Sequence, residues 1–239
     1  MTGATRIRRV AGGLQLLQNG TVLSELRHQP GPTHSVFDIL AALVRILAPT
    51  GPVGILGFGA GSIVAPLRHL GFDRPLSAVD LDPAGYRLFQ VHCAGWAGCI
   101  TWEEADALDW LERQHPPFAA LVEDLSVPVG NDVFKPAASA RLLPERVREH
   151  LLPGGVAVFN LVPDPDGMLP GMDAIQRCFN AVRIVAYDGF VNATVVAGDA
   201  LPAAPVLSRQ LQSALRQLGS RRAGAVRVSA RAPGPLNPR

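Results

Sequence analysis

The stretch VGILGFGAGSIVAPL, residues 53–67, joins a short apolar run to three closely spaced glycines. The run VGIL contains no polar residue and is typical of a buried strand. Gly57, Gly59 and Gly61 follow where such a strand would turn into a helix, and glycine allows a ligand to approach the backbone closely because it has no Cβ. The spacing Gly-x-Gly-x-Gly differs from the Gly-x-Gly-x-x-Gly of dinucleotide-binding proteins. The stretch predicts a strand, a ligand-binding turn and a helix, but it leaves the ligand open.

Segments typical of strands and helices alternate after this turn, which predicts a parallel α/β sheet. The predicted strands are residues 53–57, LSAVDLD, ITWEEAD, FAALVEDL, VAVFNLV, VRIVAYDG and NATVVAGD, the last two as a closing antiparallel pair. The predicted helices are residues 61–70, 83–94 and 170–180, ALDWLERQ, ASARLLPERVREHLL, and one before the first strand that Thr33 would cap. Seven strands in this order are typical of the Rossmann-like sheet used by adenosylmethionine enzymes.

Two flanking segments differ from this central part. Asn19-Gly20 lies between two segments of β character, which is the strongest short-range signal for a hairpin. Leucines recur at helical spacing in PVLSRQLQSALRQLG, and we expect this helix to pack on the body and the Arg/Pro/Gly-rich remainder to be loose. The expected parts are an N-terminal β-hairpin segment (1–32), a Rossmann-like domain (33–200), and a C-terminal helix with a basic tail (201–239).

Composition narrows the class of protein. With 239 residues and 48% hydrophobic residues, the chain can bury a full core. Cys93, Cys99 and Cys178 show no paired metal-binding spacing, so we expect a reduced cytoplasmic protein without a metal. Neither a secretory signal nor a membrane-spanning segment is predicted. The single lysine, Lys135, is attributed to genome composition.

The charge is unevenly distributed. The formal net charge is +2, but arginines are concentrated at both ends, and the body between them has a net charge of −8. This argues against a nucleic-acid surface on the body and suits a cationic small substrate. A solvated acidic surface that favours solubility remains the alternative interpretation.

Acidic residues follow the strands at which a ligand would bind. Asp80 ends the second strand, where a carboxylate can accept hydrogen bonds from both ribose hydroxyls of a nucleotide-like ligand. Asp106 follows the third strand and can accept a hydrogen bond from an adenine amino group, or it can cap the next helix. Asp82 is a second candidate or the cap of the helix that begins at Pro83. Together these positions favour a nucleoside-shaped ligand.

Five motifs occur in an order that resembles the spermidine synthases and related polyamine aminopropyltransferases. They are LQNGTVLSELR, GFGAGS, AVDLD, EADALDWL and LVEDLSVPVG, and the resemblance covers roughly residues 13–200. It implies a class I methyltransferase fold, with Asp80 at the ribose, Asp106 at the adenine amine and Asp124 beside the attacking amine. Glu123 is next to Asp124, and in a continuing strand only one of the two side chains can face the ligand.

The sequence departs from this family at the positions that would recognise a polyamine. Ala60 replaces an aspartate of the glycine loop that would repel the carboxylate of ordinary adenosylmethionine. Val127 replaces a second catalytic-segment aspartate, and His34-Ser35 replaces a Tyr-Gln pair. His34 is either a base near the ligand or a packing residue. These differences favour methyl transfer over aminopropyl transfer.

The leading hypothesis is an adenosylmethionine-dependent transferase that methylates a small nucleophile, with Asp124 as the catalytic residue. Gly57, Gly59, Ala60, Gly61, Asp80 and Asp106 would bind the cofactor, which is S-adenosylmethionine or its decarboxylated form. The alternatives are an aminopropyltransferase of altered amine specificity and a nucleoside-binding protein that lacks catalysis. We expect a small-molecule partner, with an amine and a homodimer left open, and neither nucleic acid nor membrane as a partner.

Overall fold

A computed structural model of the protein describes residues 5–18, 20–114, 117–129, 132–189 and 192–230. The strands are β1 (Thr5–Val10), β2 (Gly13–Gln18), β3 (Thr21–Arg27), β4 (Val53–Leu56), β5 (Leu76–Asp80), β6 (Ile100–Glu104), β7 (Phe118–Glu123), β8 (Val127–Val129), β9 (Asp132–Phe134), β10 (Leu151–Leu161), β11 (Ala181–Tyr187), β12 (Ala193–Gly198) and β13 (Val226–Ser229). The helices are α1 (Val36–Leu47), α2 (Val64–His69), α3 (Pro83–Cys93), α4 (Ala107–Glu112), α5 (Ala137–Glu149), α6 (Met172–Cys178) and α7 (Ala204–Leu218).

The central sheet has eight strands in the order β13-β11-β12-β10-β7-β4-β5-β6. Neighbouring strands from β10 to β6 pair in parallel, whereas β12 runs antiparallel to both β10 and β11. All seven strands predicted from the sequence lie in this sheet, and β11 and β12 form the expected antiparallel pair. The carboxyl ends of the parallel strands consequently meet at one edge, where ligands bind in open α/β sheets.

Apolar layers cover both faces of the sheet. One layer contains side chains of α1, α2, α3 and α7, and the other contains side chains of α4, α5 and α6. Every residue of β4, β7 and β12 is buried. Burial on both faces explains why these strands are continuous apolar runs in the sequence rather than alternating patterns. In the described part of the chain, no helix has the length and apolar character needed to cross a membrane.

The N-terminal segment is a small sheet of three strands. The hairpin predicted around Asn19-Gly20 is present as the antiparallel pair β2–β3, although Asn19 itself lies outside the described residues. The additional strand β1 pairs antiparallel with β2. The sequence of β1, TRIRRV, has three arginines and no pattern typical of a strand. We therefore expected two strands in this segment, and the structure has three.

The helix before the first central strand begins differently from the prediction. The N-cap of α1 is Ser35, not Thr33. The backbone N and Oγ1 of Thr33 instead donate to Asp38 Oδ1, at 2.7 and 2.8 Å. Asp38 is fully buried within α1, and these donors, with the backbone N of His34, satisfy its carboxylate.

The C-terminal segment is more ordered than the sequence indicated. Helix α7 is confirmed, and its four leucines are almost completely buried. Residues 220–229, which we expected to be loose, instead return to the sheet and form β13 along β11. Val226 is 1% exposed and Ser220 6%, so that expectation is wrong for this stretch. The apolar pattern of this stretch is short and interrupted by arginines, so it did not indicate a strand. Residues 231–239 lie outside the described part.

Candidate ligand-binding site

The candidate site residues lie along one edge of the central sheet. The glycine loop follows β4, Asp80 ends β5, Asp106 follows β6 and Asp124 follows β7. Strands β7, β4, β5 and β6 are adjacent and parallel, so their carboxyl ends form a row. The structure therefore brings together the residues that the sequence singled out separately.

All three glycines of the loop have positive φ, with values of 87° at Gly57, 54° at Gly59 and 72° at Gly61. A Cβ on Gly59 would lie 3.0 Å from Ser24 Oγ, and one on Gly61 would lie 2.5 Å from the Phe89 ring. The glycines are thus required by the backbone conformation and by close contacts with other parts of the protein. From the sequence we expected the glycines to allow close approach of a ligand, whereas the close contacts in the structure are with Ser24 and Phe89 of the protein itself.

Asp80 combines a fixed carboxylate with an exposed apolar neighbour. Its Oδ2 accepts a hydrogen bond from Gly59 N at 2.7 Å, and its Oδ1 accepts one from Asp82 N at 3.1 Å. Each carboxylate oxygen can accept further hydrogen bonds. The next residue, Leu81, is 67% exposed, which is unusual for a leucine. A carboxylate beside an exposed apolar surface suits a ligand with a hydroxylated ring and a flat base, and sequence reasoning missed Leu81.

Asp82 and Asp106 both act as helix caps. The side chain of Asp82 accepts a hydrogen bond from Ala84 N at 2.9 Å, and Asp106 Oδ1 accepts one from Leu108 N at 2.8 Å. The capping alternative is therefore realised at both positions. Asp106 remains exposed at the end of β6 and caps through Oδ1, so capping is compatible with contact to a ligand.

Ala60 is placed differently from the other cofactor candidates. Its side chain is 1% exposed and belongs to the apolar cluster on the α1 face of the sheet. Its backbone N donates to Ser24 Oγ at 2.9 Å. A carboxylate at this position would be buried in the protein rather than displayed on an open surface, and it would carry a large desolvation cost.

Asp124 is a partly buried carboxylate with a side-chain amide as partner. Asn160 Nδ2 donates to Asp124 Oδ1 at 2.6 Å, and Asn192 Nδ2 donates to Asn160 Oδ1 at 3.3 Å. Burial raises the pKa of Asp124 from 3.8 to about 7, while the Asn160 hydrogen bond and the charge of Lys135 act in the opposite direction. At neutral pH this carboxyl group can both hold and accept a proton, as a general base must.

Glu123 forms no hydrogen bond with Asp124 or Asn160 among the described contacts and acts on Asp124 only through its charge, which raises the pKa of Asp124. Strand β7 ends at Glu123, whose side chain is buried beside a small cavity lined by Leu143 and Ile175. Lys135 Nζ donates to Glu123 Oε1 at 2.6 Å and also contacts Oε2. The side chains of Glu123 and Asp124 thus lie in different surroundings, as expected if neighbouring side chains point to opposite faces of the sheet.

The pair Glu123–Lys135 joins the two ends of the hairpin formed by β8 and β9. Both side chains are almost completely inaccessible to solvent. The interpretation of Lys135 as a matter of composition missed this contact. The sequence offered one signal for such a role, which is that Lys135 is the only lysine of the chain.

His34 has a structural role at its contact with the segment after α7. It is the only described residue other than glycine with a positive φ, 61°. Its carbonyl accepts a hydrogen bond from Arg222 Nε at 2.8 Å, and its Nδ1 accepts one from Arg221 N at 3.4 Å. Burial, followed by the charge of Arg221, lowers its pKa despite the opposing charge of Asp38. These contacts favour the packing interpretation, since they join His34 to the segment after α7.

No cluster of three or more potential metal ligands occurs among the residues that the structure describes. No protein-family model matches the sequence, and no curated protein matches it either.

Several solved structures nevertheless have a fold similar to that of this chain. Human methyltransferase-like protein 13 in complex with SAH is 21% identical, with a TM-score of 0.58 over 78% of this chain and 91% of that one. Spermidine synthase in complex with the transition-state analogue AdoDATO is 12% identical, with a TM-score of 0.63 over 84% of this chain and 74% of that one. Spermidine synthase from Thermotoga maritima is 13% identical, with a TM-score of 0.60 over 84% and 73%.

The chain has the class I methyltransferase fold. The α/β architecture with a mostly parallel central sheet was predicted from the sequence and is confirmed. Strand β13 extends this sheet from seven strands to eight. At these sequence identities the likeness concerns the fold, and a function has to be argued from the site itself.

Proposed function

We propose that the protein is an S-adenosylmethionine-dependent transferase that methylates a small nucleophile. The observation that supports this most directly is a pair of acids at the carboxyl ends of β5 and β7, two strands that are separated only by β4. Asp80 lies beside the glycine loop. Asp124 follows β7, on the other side of β4, and its pKa is raised to about 7. The solved structures of similar fold include one that contains SAH and one that contains AdoDATO.

The residues at the β5 and β6 ends fit the nucleoside part of such a cofactor. Asp80 would accept hydrogen bonds from the ribose hydroxyls, and Leu81 would cover one face of the adenine. Asp106 would accept a hydrogen bond from the adenine amine. When bound, the cofactor supplies an activated methyl group on its sulfonium.

Asp124 would act on the acceptor. A hydroxyl or neutral amine that hydrogen-bonds to its carboxylate loses a proton to Asp124 as it forms the new bond to the methyl carbon, and the methyl–sulfur bond breaks. The electron pair of that bond remains on sulfur and gives the neutral thioether. Such a transfer depends mainly on alignment and on a deprotonated nucleophile, so one well-placed base suffices.

Aminopropyl transfer from decarboxylated adenosylmethionine is the second candidate. The order of the five motifs, which resembles that of the aminopropyltransferases, and the net charge of −8 on the body of the chain, which suits a cationic substrate, favour it. Methyl transfer is preferred because the exposed Val127 places no carboxylate where the family resemblance expects one. A cationic amine end would then lack its counter-charge. Ala60 does not add to this argument, because its side chain is buried in the apolar cluster.

Calorimetry with both cofactors separates these functions. Adenosylmethionine should bind at least as tightly as its decarboxylated form, and incubation with small amines and alcohols should give products heavier by one methyl group. A tenfold or greater preference for the decarboxylated cofactor, or an aminopropylated product, would establish the second candidate instead. Binding without turnover on any acceptor would favour a binding protein without catalysis, the third alternative.

A further inference from the structure

Two serines connect the N-terminal sheet to the glycine loop. Ser24 lies in β3 and Ser62 follows the loop, and their hydroxyl oxygens are 2.6 Å apart. Ser24 Oγ also accepts a hydrogen bond from Ala60 N at 2.9 Å, and Ser62 Oγ accepts one from Glu25 N at 2.8 Å. Each serine thus binds a backbone N–H of the other segment. Both are at most 3% exposed, so water does not compete for these bonds.

The loop is held from a second side by Asp80. Asp80 Oδ2 accepts from Gly59 N, and Ser24 Oγ accepts from the next backbone N, that of Ala60. Ser24 Oγ also lies 3.0 Å from the position that a Cβ on Gly59 would take. Consecutive peptide groups of the loop are therefore fixed between the central sheet and the N-terminal sheet. Without the Ser24 contact, the Gly59–Ala60 backbone could shift and change the hydrogen bond that orients Asp80.

We propose that Ser24 is a positioning residue for the cofactor, which makes the N-terminal sheet a working part of the binding site. Ser24 acts through the Gly59–Ala60 backbone and does not contact the ligand. The inference rests on the proposed function, since it assumes that Asp80 binds the ribose. It implies reciprocity: ligand binding at Asp80 should stabilise the contact between β3 and the loop.

The test is Ser24→Ala, compared with wild type and with Ser208→Ala, which removes a serine hydroxyl on α7. Calorimetry should show adenosylmethionine and S-adenosylhomocysteine binding about five- to tenfold more weakly to Ser24→Ala, because the buried Ala60 N–H loses its acceptor. Ser208→Ala should bind like wild type. Urea unfolding would establish that each variant is folded, in which case lower stability alone cannot reduce the affinity.

Hydrogen exchange provides a readout that a purely structural role would not change. In wild type, S-adenosylhomocysteine should slow exchange of the β3 amides as well as those of the loop; in Ser24→Ala the protection of β3 should be lost while that of the loop remains. Should Ser24→Ala fail to fold, Ser62→Ala tests the same connection from the loop side and should also weaken binding.

The outcomes distinguish this inference from the proposed function. Wild-type protein that binds neither ligand would refute the proposed function. Wild-type binding with unchanged affinity and unchanged β3 protection in the serine variants would overturn the role of Ser24 alone.

Discussion

The partly buried carboxyl of Asp124 should make the stability of the protein depend on pH. Its pKa is raised from 3.8 to about 7, mainly by burial. Between these values the unfolded chain has released the proton while the folded protein still holds it, so folding becomes less favourable as pH rises. The penalty is absent below the unfolded pKa and complete above the folded one. The isosteric substitution Asp124→Asn removes it and keeps an oxygen that accepts from Asn160.

The size of the effect follows from the pKa difference. A rise from 3.8 to about 7 corresponds to a penalty of about 4 kcal/mol above pH 7. Near pH 5 only about 1.5 kcal/mol of this penalty is present. The stability advantage of Asp124→Asn over wild type should therefore grow by about 3 kcal/mol between about pH 5 and about pH 8.5.

Urea unfolding of both proteins at the two pH values measures this difference. Protonation of the other acids cancels in the comparison, because both proteins contain them. Asp166→Asn is the matched control, since it makes the same chemical change at an exposed carboxylate. A stability difference between Asp124→Asn and wild type that is the same at both pH values would refute the assignment of a raised pKa to Asp124.

Three further predictions concern the site and its supports. Asp80→Ala should weaken adenosylmethionine binding by about 1.5–3 kcal/mol in calorimetry, because hydrogen bonds to a charged acceptor are lost; unchanged binding by a folded variant would contradict the ribose role. Lys135→Met should destabilise the protein by about 3–5 kcal/mol in urea unfolding, since it leaves the buried Glu123 carboxylate unpaired, whereas the double variant with Glu123→Leu should recover most of that loss. Deletion of residues 220–239 should lower stability by at least about 2 kcal/mol, the value of burying one side chain such as Val226; a deletion variant as stable as wild type would restore the view that the tail is dispensable.

The sheet was predictable because most of its strands carry their own signal. Segments such as FAALVEDL and NATVVAGD are buried on both faces and read as continuous apolar runs with turn residues beside them. The sequence did not predict β1, β8, β9 or β13. Strands β8 and β9 have only three residues each, and β1 and β13 are arginine-containing edge strands. Their pairing is decided by the neighbouring strand, which a local pattern does not reveal.

The candidate site was predictable as a set of positions but not as a set of contacts. Asp80 and Asp124 could be placed because strand ends are visible in the sequence. The partner of Asp124, Asn160, is 36 residues away, and Ser24 is 36 residues from the backbone N of Ala60. No periodicity joins such pairs. For the same reason, the glycine loop was correctly located while the protein atoms that require its glycines were not foreseen.

The buried position of Lys135 also bears on chemical labelling. It carries the only lysine amine of the chain, and its side chain is 1% exposed and paired with Glu123. An acylating reagent can react with this amine only after the pair opens and Lys135 loses its proton. The rate of acylation at Lys135, followed by mass spectrometry, would therefore report how often the base of the β8–β9 hairpin opens in the native protein.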